Sequence, residues 1–374
     1  CGTGIWKKCW HQNNLAVSCL ASRDPRPTTC MTYVFYTNDD YINNPVTGGT
    51  RRFIELVTGL LMKGHTVHLF IPAHASFSEH PNLIRHPLSR HVNRYLPNGL
   101  LNFFSNYRQL RYIRNIIGAR VVFISVPYAI QGLLAGIRKP TLIVWEDFVD
   151  YRRIWFESLN FPSFMVRVFK IWWRYLERFT LLRAGRIIVQ CHYDRKVLID
   201  RHHRFAERIS RKINILNNNV NPTWIEKKAH LRELVKERDN SRPYNLGFIG
   251  NLDDTRKGLH LLLGSFARLM DEGFAARLHV IGEGRLRKSY MDQYKARPQI
   301  TFYGRIEFPM KSLATFDLLV VPSLSDSFPN TIMEALYLDV PVLGARRGGI
   351  PEMLHYDELL FEPNTRSLYR KLSA

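Results

Sequence analysis

The residues best placed to do chemistry together lie in one stretch, Ser323–Glu352, which reads SLSDSFPNTIMEALYLDVPVLGARRGGIPE. Two acids, Asp326 and Glu334, stand there with seven residues between them. The intervening Ser327-Phe328-Pro329-Asn330-Thr331 is a polar turn that reads as a helix start. Asn330 or Thr331 can cap it, and Ile332-Met333-Glu334-Ala335-Leu336 can continue it. An apolar strand, Val340-Pro341-Val342-Leu343, and a Gly348-Gly349 turn follow. One carboxylate thus falls on a loop before a helix and the other in the helix's first turns. The first N–H groups of a helix have no partner within it and make a seat for phosphate. An ionised carboxylate beside that seat is a strong acceptor for sugar hydroxyls. The competing reading is an ordinary helix–strand unit with two solvated acids.

The elements around this stretch alternate. From Met31 to about Asn217, strands are expected at Tyr33–Tyr36, Thr66–Ile71, Val121–Ser125, Thr141–Trp145 and Arg186–Gln190, with helices from about Thr50 to Lys63 and from Ser163 to Leu182. A second series starts near Tyr244. Its strands are Asn245–Ile249, Arg277–Ile281, Ile300–Tyr303, Leu318–Val321 and Val340–Leu343. Its helices are Leu259–Asp271, Arg285–Lys295, Phe308–Ala314 and Thr331–Leu338. Such alternation argues for parallel sheets covered on both faces, hence two tandem Rossmann-like, doubly wound α/β domains. Asn217-Asn218-Asn219-Val220-Asn221-Pro222 reads as the linker. The expected organisation is a leader over 1–30, foreign to the fold, then domains at 31–221 and 222–374.

Further residues fall where strands end. Thr47-Gly48-Gly49-Thr50 opens the first helix, where glycines let backbone approach a ligand and a helix start favours anions; a plain turn is the other reading. Arg256 and Lys257, just before a helix, can neutralise a diphosphate, Arg as a planar fork and Lys as a point charge, or serve as a solvated loop. Gly282 and Gly284 form a Gly-x-Gly turn, and Arg305, which can equally be a surface residue, follows the next strand. Glu146 and Asp147 end the fourth strand of the first domain, where α/β ligands bind. They can bind sugar, orient an acceptor hydroxyl, or cap the next segment.

Taken together, Asp326 to Glu334 followed by "DVPVLGARRGGIPE" resembles the E-X7-E signature of family-four retaining glycosyltransferases of GT-B fold, with Asp326 at the first Glu. The Gly-Gly loop with "GGTRRFIELVTGLLMKGHTVHLF", the Gly-x-Gly turn and Tyr303-Gly304-Arg305 resemble the family's other cleft segments. Lys257 matches its Lys, while Asn251 replaces its Arg and Asn219 replaces the Gly of its linker. Many relatives carry a His near the fourth strand end, and this chain has none in the motif. The resemblance covers nearly all of residues 31–366. It implies an inter-domain cleft and transfer of a sugar from a UDP- or GDP-linked donor to a glycan or lipid-linked acceptor, with no cofactor. Glu334 would bind ribose hydroxyls and Asp326 the transferred sugar. Phe328, Asn330, Thr331, Arg256, Lys257, Gly48, Gly49, Gly282, Gly284 and Arg305 would line the donor site, and Glu146 and Asp147 would complete the catalytic set. No Asp-x-Asp triplet is present, so no metal is expected, and Arg, Lys and helix-start N–H groups would provide charge relief. The rival classes are a non-catalytic anion or nucleic-acid binder and a sugar-nucleotide epimerase on the same scaffold. Relatives of this family continue with helices beyond the point where this chain stops, so residues 222–374 fit either a whole or a truncated C-terminal domain.

Charge is unevenly placed. The net charge is +21. From Pro222 onward there are 22 Lys/Arg against 19 Asp/Glu, so residues 1–221 carry +18. That asymmetry points to an anionic partner for the first half. Residues 151–212 hold 15 Lys/Arg and five acids. Within them, SFMVRVFKIWWRYLERF places Arg167, Lys170, Arg174 and Arg178 on one helix face, beside Trp172 and Trp173. This suits the interface of an anionic membrane; a core-facing aromatic stripe with a solvated basic back is the alternative. The resulting expectation is a cytoplasmic protein peripheral to the inner membrane, without disulfides in its body.

Overall fold

The computed structural model describes residues 30–38, 48–91, 98–144, 163–218, 242–253, 255–306 and 309–374. They form two units, with the chain passing from one to the other between Leu216 and Asn217.

The N-terminal unit holds a seven-stranded parallel sheet in the order β3-β2-β1-β4-β5-β6-β7. Its strands are β1 (Thr32–Tyr36), β2 (Thr66–Pro72), β3 (Leu83–Leu88), β4 (Arg120–Phe123), β5 (Thr141–Val144), β6 (Arg186–Val189) and β7 (Ile213–Ile215). Val34, Phe35 and Tyr36 are consecutive and all buried, as in a strand covered on both faces. The helix Gly48–Met62 buries Phe53, Val57, Leu60 and Leu61, one stripe at helical spacing. Phe53 meets Phe35 edge to face at 5.9 Å.

The C-terminal unit has six parallel strands in the order β10-β9-β8-β11-β12-β13. They are β8 (Tyr244–Ile249), β9 (Ala276–Ile281), β10 (Ile300–Gly304), β11 (Leu318–Val321), β12 (Val342–Ala345) and β13 (Leu360–Phe361). The helix Leu259–Asp271 buries Leu259, Leu262, Leu263, Phe266 and Leu269, each worth about 1.5–3 kcal/mol of apolar burial. The helix Thr365–Ser373 docks back onto it: Leu368 is fully buried and Ser265 Oγ donates to the Thr365 carbonyl at 3.0 Å. Strand order reverses between β8 and β11, the place where open α/β sheets receive ligands at their carboxyl ends.

Two parallel α/β sheets were expected and are present. One strand lies two residues later than expected, at Val342–Ala345 instead of Val340–Leu343. Asp339 is left-handed with φ of 57°, and Val340 N–H turns back to the Ala335 carbonyl, so the strand cannot begin there. Gly344 stays in it because the helix Ile350–Leu354 lies directly on that position; a Cβ would meet Ile350 and Leu354 side chains at 2.6 Å. Strands β3, β7 and β13 lay outside the sequence expectation, as did the helices Asn98–Ser105, Tyr107–Tyr112, Val126–Leu134, His192–Arg201 and Thr365–Ser373.

Candidate active site in the C-terminal unit

The loops leaving β8 and β11 flank the reversal point and are zipped together. The loop after β8 ends in a single helical turn, Thr255–Lys257. Leu324 N–H donates to the Arg256 carbonyl at 2.8 Å, and Arg256 Nη1 donates to the Ser325 carbonyl at 3.3 Å. Lys257 Nζ donates to Asp326 Oδ2 at 2.5 Å, and Ser323 Oγ makes a longer contact to the same oxygen, 3.4 Å. The lysine and aspartate side chains are 21% and 12% exposed. An ion pair this sheltered is screened less than a surface pair.

The loop after β12 closes from the other side. Gly349 N–H donates to the Asp326 carbonyl at 3.0 Å. Gly348 has φ of 59°, and a Cβ there would lie 1.8 Å from that carbonyl oxygen. Only glycine combines this left-handed backbone with so close an approach. The Gly-Gly turn therefore fixes the backbone of Asp326 while Lys257 fixes its carboxylate.

The helix Asn330–Tyr337 begins four residues past Asp326. The cap differs from the sequence expectation. Pro329 occupies the N-cap position with no side-chain cap bond, and Asn330 is the first helical residue. The amide of Asn330 is engaged elsewhere: its Oδ1 accepts from Asn218 Nδ2 at 2.8 Å. The same Asn218 Nδ2 donates to the Phe328 carbonyl at 2.7 Å, so its two protons fasten the linker to the helix start. Phe328 and Glu334 are buried and Thr331 is half-buried. Asn218 is the residue that sequence reasoning missed. Its only sequence signal is its place in a run of asparagines, which predicts backbone turning.

On the β9 side, Gly282 N–H donates to the Gly304 carbonyl at 2.8 Å. A Cβ at Gly282 would fall 1.8 Å from the Gly250 carbonyl oxygen, and one at Gly284 would fall 2.2 Å from Leu252 backbone. Both glycines let this turn lie backbone to backbone on the loop after β8. Arg285 is drawn there too, its N–H reaching Asp253 Oδ1 at 3.2 Å. Arg305 is exposed just beyond β10. His260, second residue of the helix after Lys257, has its imidazole held below its ordinary range by burial.

These groups can act in three ways. Lys257 and Arg256 set positive charge beside a helix start, which suits a diphosphate. Asp326 offers a clamped carboxylate to hydroxyl donors. Glu334 is a second carboxylate, carried on the helix that starts at the seat. In the N-terminal unit, Gly48 and Gly49 are the first residues of the helix Gly48–Met62. Arg52, one turn on, is buried and donates to the Leu216 carbonyl. Burial pushes its guanidinium down to about 10, with Glu55 and Asp194 opposing. Glu146 and Asp147 lie outside the described residues. Of the basic aromatic set, Arg167, Trp172 and Arg174 are exposed, Lys170 and Arg178 half-buried. Trp173 is a correction: it is 4% exposed, because it shares the packed face of Val166, Glu177 and Thr180.

The sequence matches the model for Glycosyltransferase Family 4 over residues 46–223 and that for Glycosyl transferases group 1 over residues 243–374. Glycogen synthase of Thermus caldophilus is 28% identical over 128 residues, which is 33% of this chain and 29% of that protein. The chain aligns with about a third of the length of the first curated relatives it matches. Among solved structures, Anabaena Alr3699/HepE in complex with UDP and glucose superposes with a TM-score of 0.61 at 14% identity, covering 92% of this chain and 89% of that one. WaaG, a glycosyltransferase involved in lipopolysaccharide biosynthesis, superposes with a TM-score of 0.64 at 15% identity, covering 92% and 90%. These likenesses show the GT-B fold.

Proposed function

We propose that this family-four-like glycosyltransferase, whose N-terminal part matches the Glycosyltransferase Family 4 model and whose C-terminal part matches Glycosyl transferases group 1, transfers a sugar from a nucleoside diphosphate to a glycan or lipid-linked acceptor. The proposed transfer retains anomeric configuration and uses no metal. The observation that carries this reading is the clasp of Lys257 on Asp326 at the β8/β11 reversal, with a helix start and the buried Glu334 immediately beyond.

The donor's diphosphate draws Lys257 away from Asp326, and Arg256 and the helix-start N–H groups share its charge. The released carboxylate of Asp326 then accepts hydroxyls of the transferred sugar, and Glu334 accepts those of the ribose. The bond from the anomeric carbon to phosphate oxygen breaks as a bond to the acceptor oxygen forms on the same face. The acceptor's proton passes to the departing phosphate. Retention is supported by the Asp326-to-Glu334 spacing, and a nucleotide donor by the likeness to a UDP-bound neighbour. The likeness to WaaG, a glycosyltransferase involved in lipopolysaccharide biosynthesis, supports a cell-envelope glycan as that acceptor.

The test is a panel of UDP, GDP and their sugars, read as melting shifts of the full chain with and without chelator, then repeated with Glu334→Ala. One nucleotide should raise the melting temperature regardless of chelator, and the variant should lose most of that shift. No nucleotide shift, with salt-sensitive retention of DNA, would replace the enzyme by an anion binder. An isomerised donor formed without acceptor would replace it by an epimerase.

A further inference from the structure

The helix Ser163–Arg183 has three faces, at about 100° per residue. Val166, Trp173, Glu177, Thr180 and Leu181 form the packed one. On the opposite side, Phe164, Met165, Val168, Ile171, Trp172 and Tyr175 are each between 44% and 65% exposed. They span an arc of about 120° on a helical projection. Apolar residues scattered over a surface need no explanation, but a continuous exposed stripe along a helix of 21 residues does.

The charges lie along one border of that stripe. Arg167, Arg174 and Arg178 fall about 80–120° from its centre, and Lys170 falls on the far side at about 160°. The Arg178 guanidinium sits over the Tyr175 ring at 4.6 Å and near the Phe205 ring at 5.6 Å, so the arginine lines the edge of the apolar face. Arg204, next to Phe205, is exposed as well. No helix among the described residues is long and apolar enough to cross a membrane.

We infer that this helix is a docking surface for an anionic lipid bilayer. Its apolar face enters the boundary between headgroups and acyl chains, and Arg167, Arg174 and Arg178 reach headgroup phosphates at the waterline. Charge selects this occupant. Residues 163–216, the stretch that begins with this helix, hold 13 Lys/Arg against four Asp/Glu, which draws this surface to a negative one. A second copy would have to bring another arginine border against the first. The inference uses neither donor nor acceptor, so it stands or falls separately from the proposed activity.

The full chain is mixed with vesicles of phosphatidylglycerol and phosphatidylcholine, or of phosphatidylcholine alone, and the pelleted fraction is measured against lipid concentration. Binding is expected for the anionic vesicles, weakening steeply with salt. Ile171→Ser with Trp172→Ser removes two exposed side chains and should weaken binding about tenfold or more. Arg167→Glu with Arg174→Glu should abolish the preference for phosphatidylglycerol. Unchanged melting temperatures establish that both variants fold. Failure of the wild-type chain to pellet with anionic vesicles, or pelleting that neither variant alters, would overturn the inference. A dimer in lipid-free buffer that the Ser variant abolishes, without vesicle binding, would overturn it in favour of a protein contact. Preferential retention of nucleic acid over vesicles would overturn it likewise.

Discussion

Gly348→Ala separates two costs that the clasp predicts. The first is conformational: at φ of 59° an L residue costs about 1–2 kcal/mol. The second is steric. The new Cβ would stand 1.8 Å from the Asp326 carbonyl oxygen, where ordinary contact begins at 3.4 Å. The turn or Asp326 must move by roughly 1.5 Å, and overpacking of that kind costs about 1–3 kcal/mol more. Gly273→Ala supplies the control, since Gly273 has φ of 79° with nothing within 4 Å of a Cβ. Only the first cost applies there. At about 2–4 °C per kcal/mol for a unit of this size, Gly348→Ala should melt about 2–12 °C below Gly273→Ala. Because the displaced atom belongs to Asp326, transfer should fall by about a hundredfold, the scale of an ångström-sized misplacement. Calorimetry on both variants and a transfer assay on the nucleotide sugar that shifts melting provide the readings. Equal melting temperatures would refute the steric argument. A lower melting temperature with undiminished transfer would refute the claim that this turn positions a catalytic carboxylate.

Lys257→Met should weaken nucleotide binding about 10- to 100-fold, the loss of one charge-assisted contact; titration calorimetry with unaltered affinity would remove Lys257 from the donor site. Asn218→Ala forfeits two hydrogen bonds and should cost about 1–2 kcal/mol. Asn218→Asp should be worse than alanine, because a carboxylate would face the Phe328 carbonyl and Asn330 Oδ1 with no proton to give; the two melting curves in the reverse order would sink this account. In the N-terminal unit, His68 Nδ1 and His86 Nε2 are 3.0 Å apart, and His86 stacks on Phe70 at 4.1 Å. Burial holds both imidazoles below 6.5, and His68 adds to the effect on His86. The folded unit thus binds fewer protons than the unfolded chain, so this stability is intact above about pH 6.5 and declines as pH falls below it. His86→Phe should flatten the decline in melting temperature, and a wild-type profile already flat across that window would contradict the argument.

What could be read from the sequence was whatever repeats over short range. Runs such as Leu318–Val321 and the stripe Leu259, Leu262, Leu263, Phe266 announce a buried strand and an amphipathic helix through period alone. Strand β3 does not, because Arg85, His86 and Pro87 interrupt it; it lies at the sheet's edge, where such residues are tolerated. Period also fails where a helix is apolar on opposite sides. In Ser163–Arg183 both Trp172 and Trp173 fit an aromatic stripe, and only their burial decides which is core: Trp173 is 4% exposed and Trp172 57%. The site fails to show for a different reason. Lys257 and Asp326 each read as functional in the sequence, yet as partners of different parts of a donor, because 69 residues separate them. Gly348 was visible as a turn but not as the contact that holds Asp326. Asn218, 112 residues from Asn330, was visible only as linker. The first two links depend on strand order bringing remote loops to one sheet end. A motif names the groups that meet a ligand, whereas the residues that hold those groups in place are found only through the register that joins β8, β11 and β12.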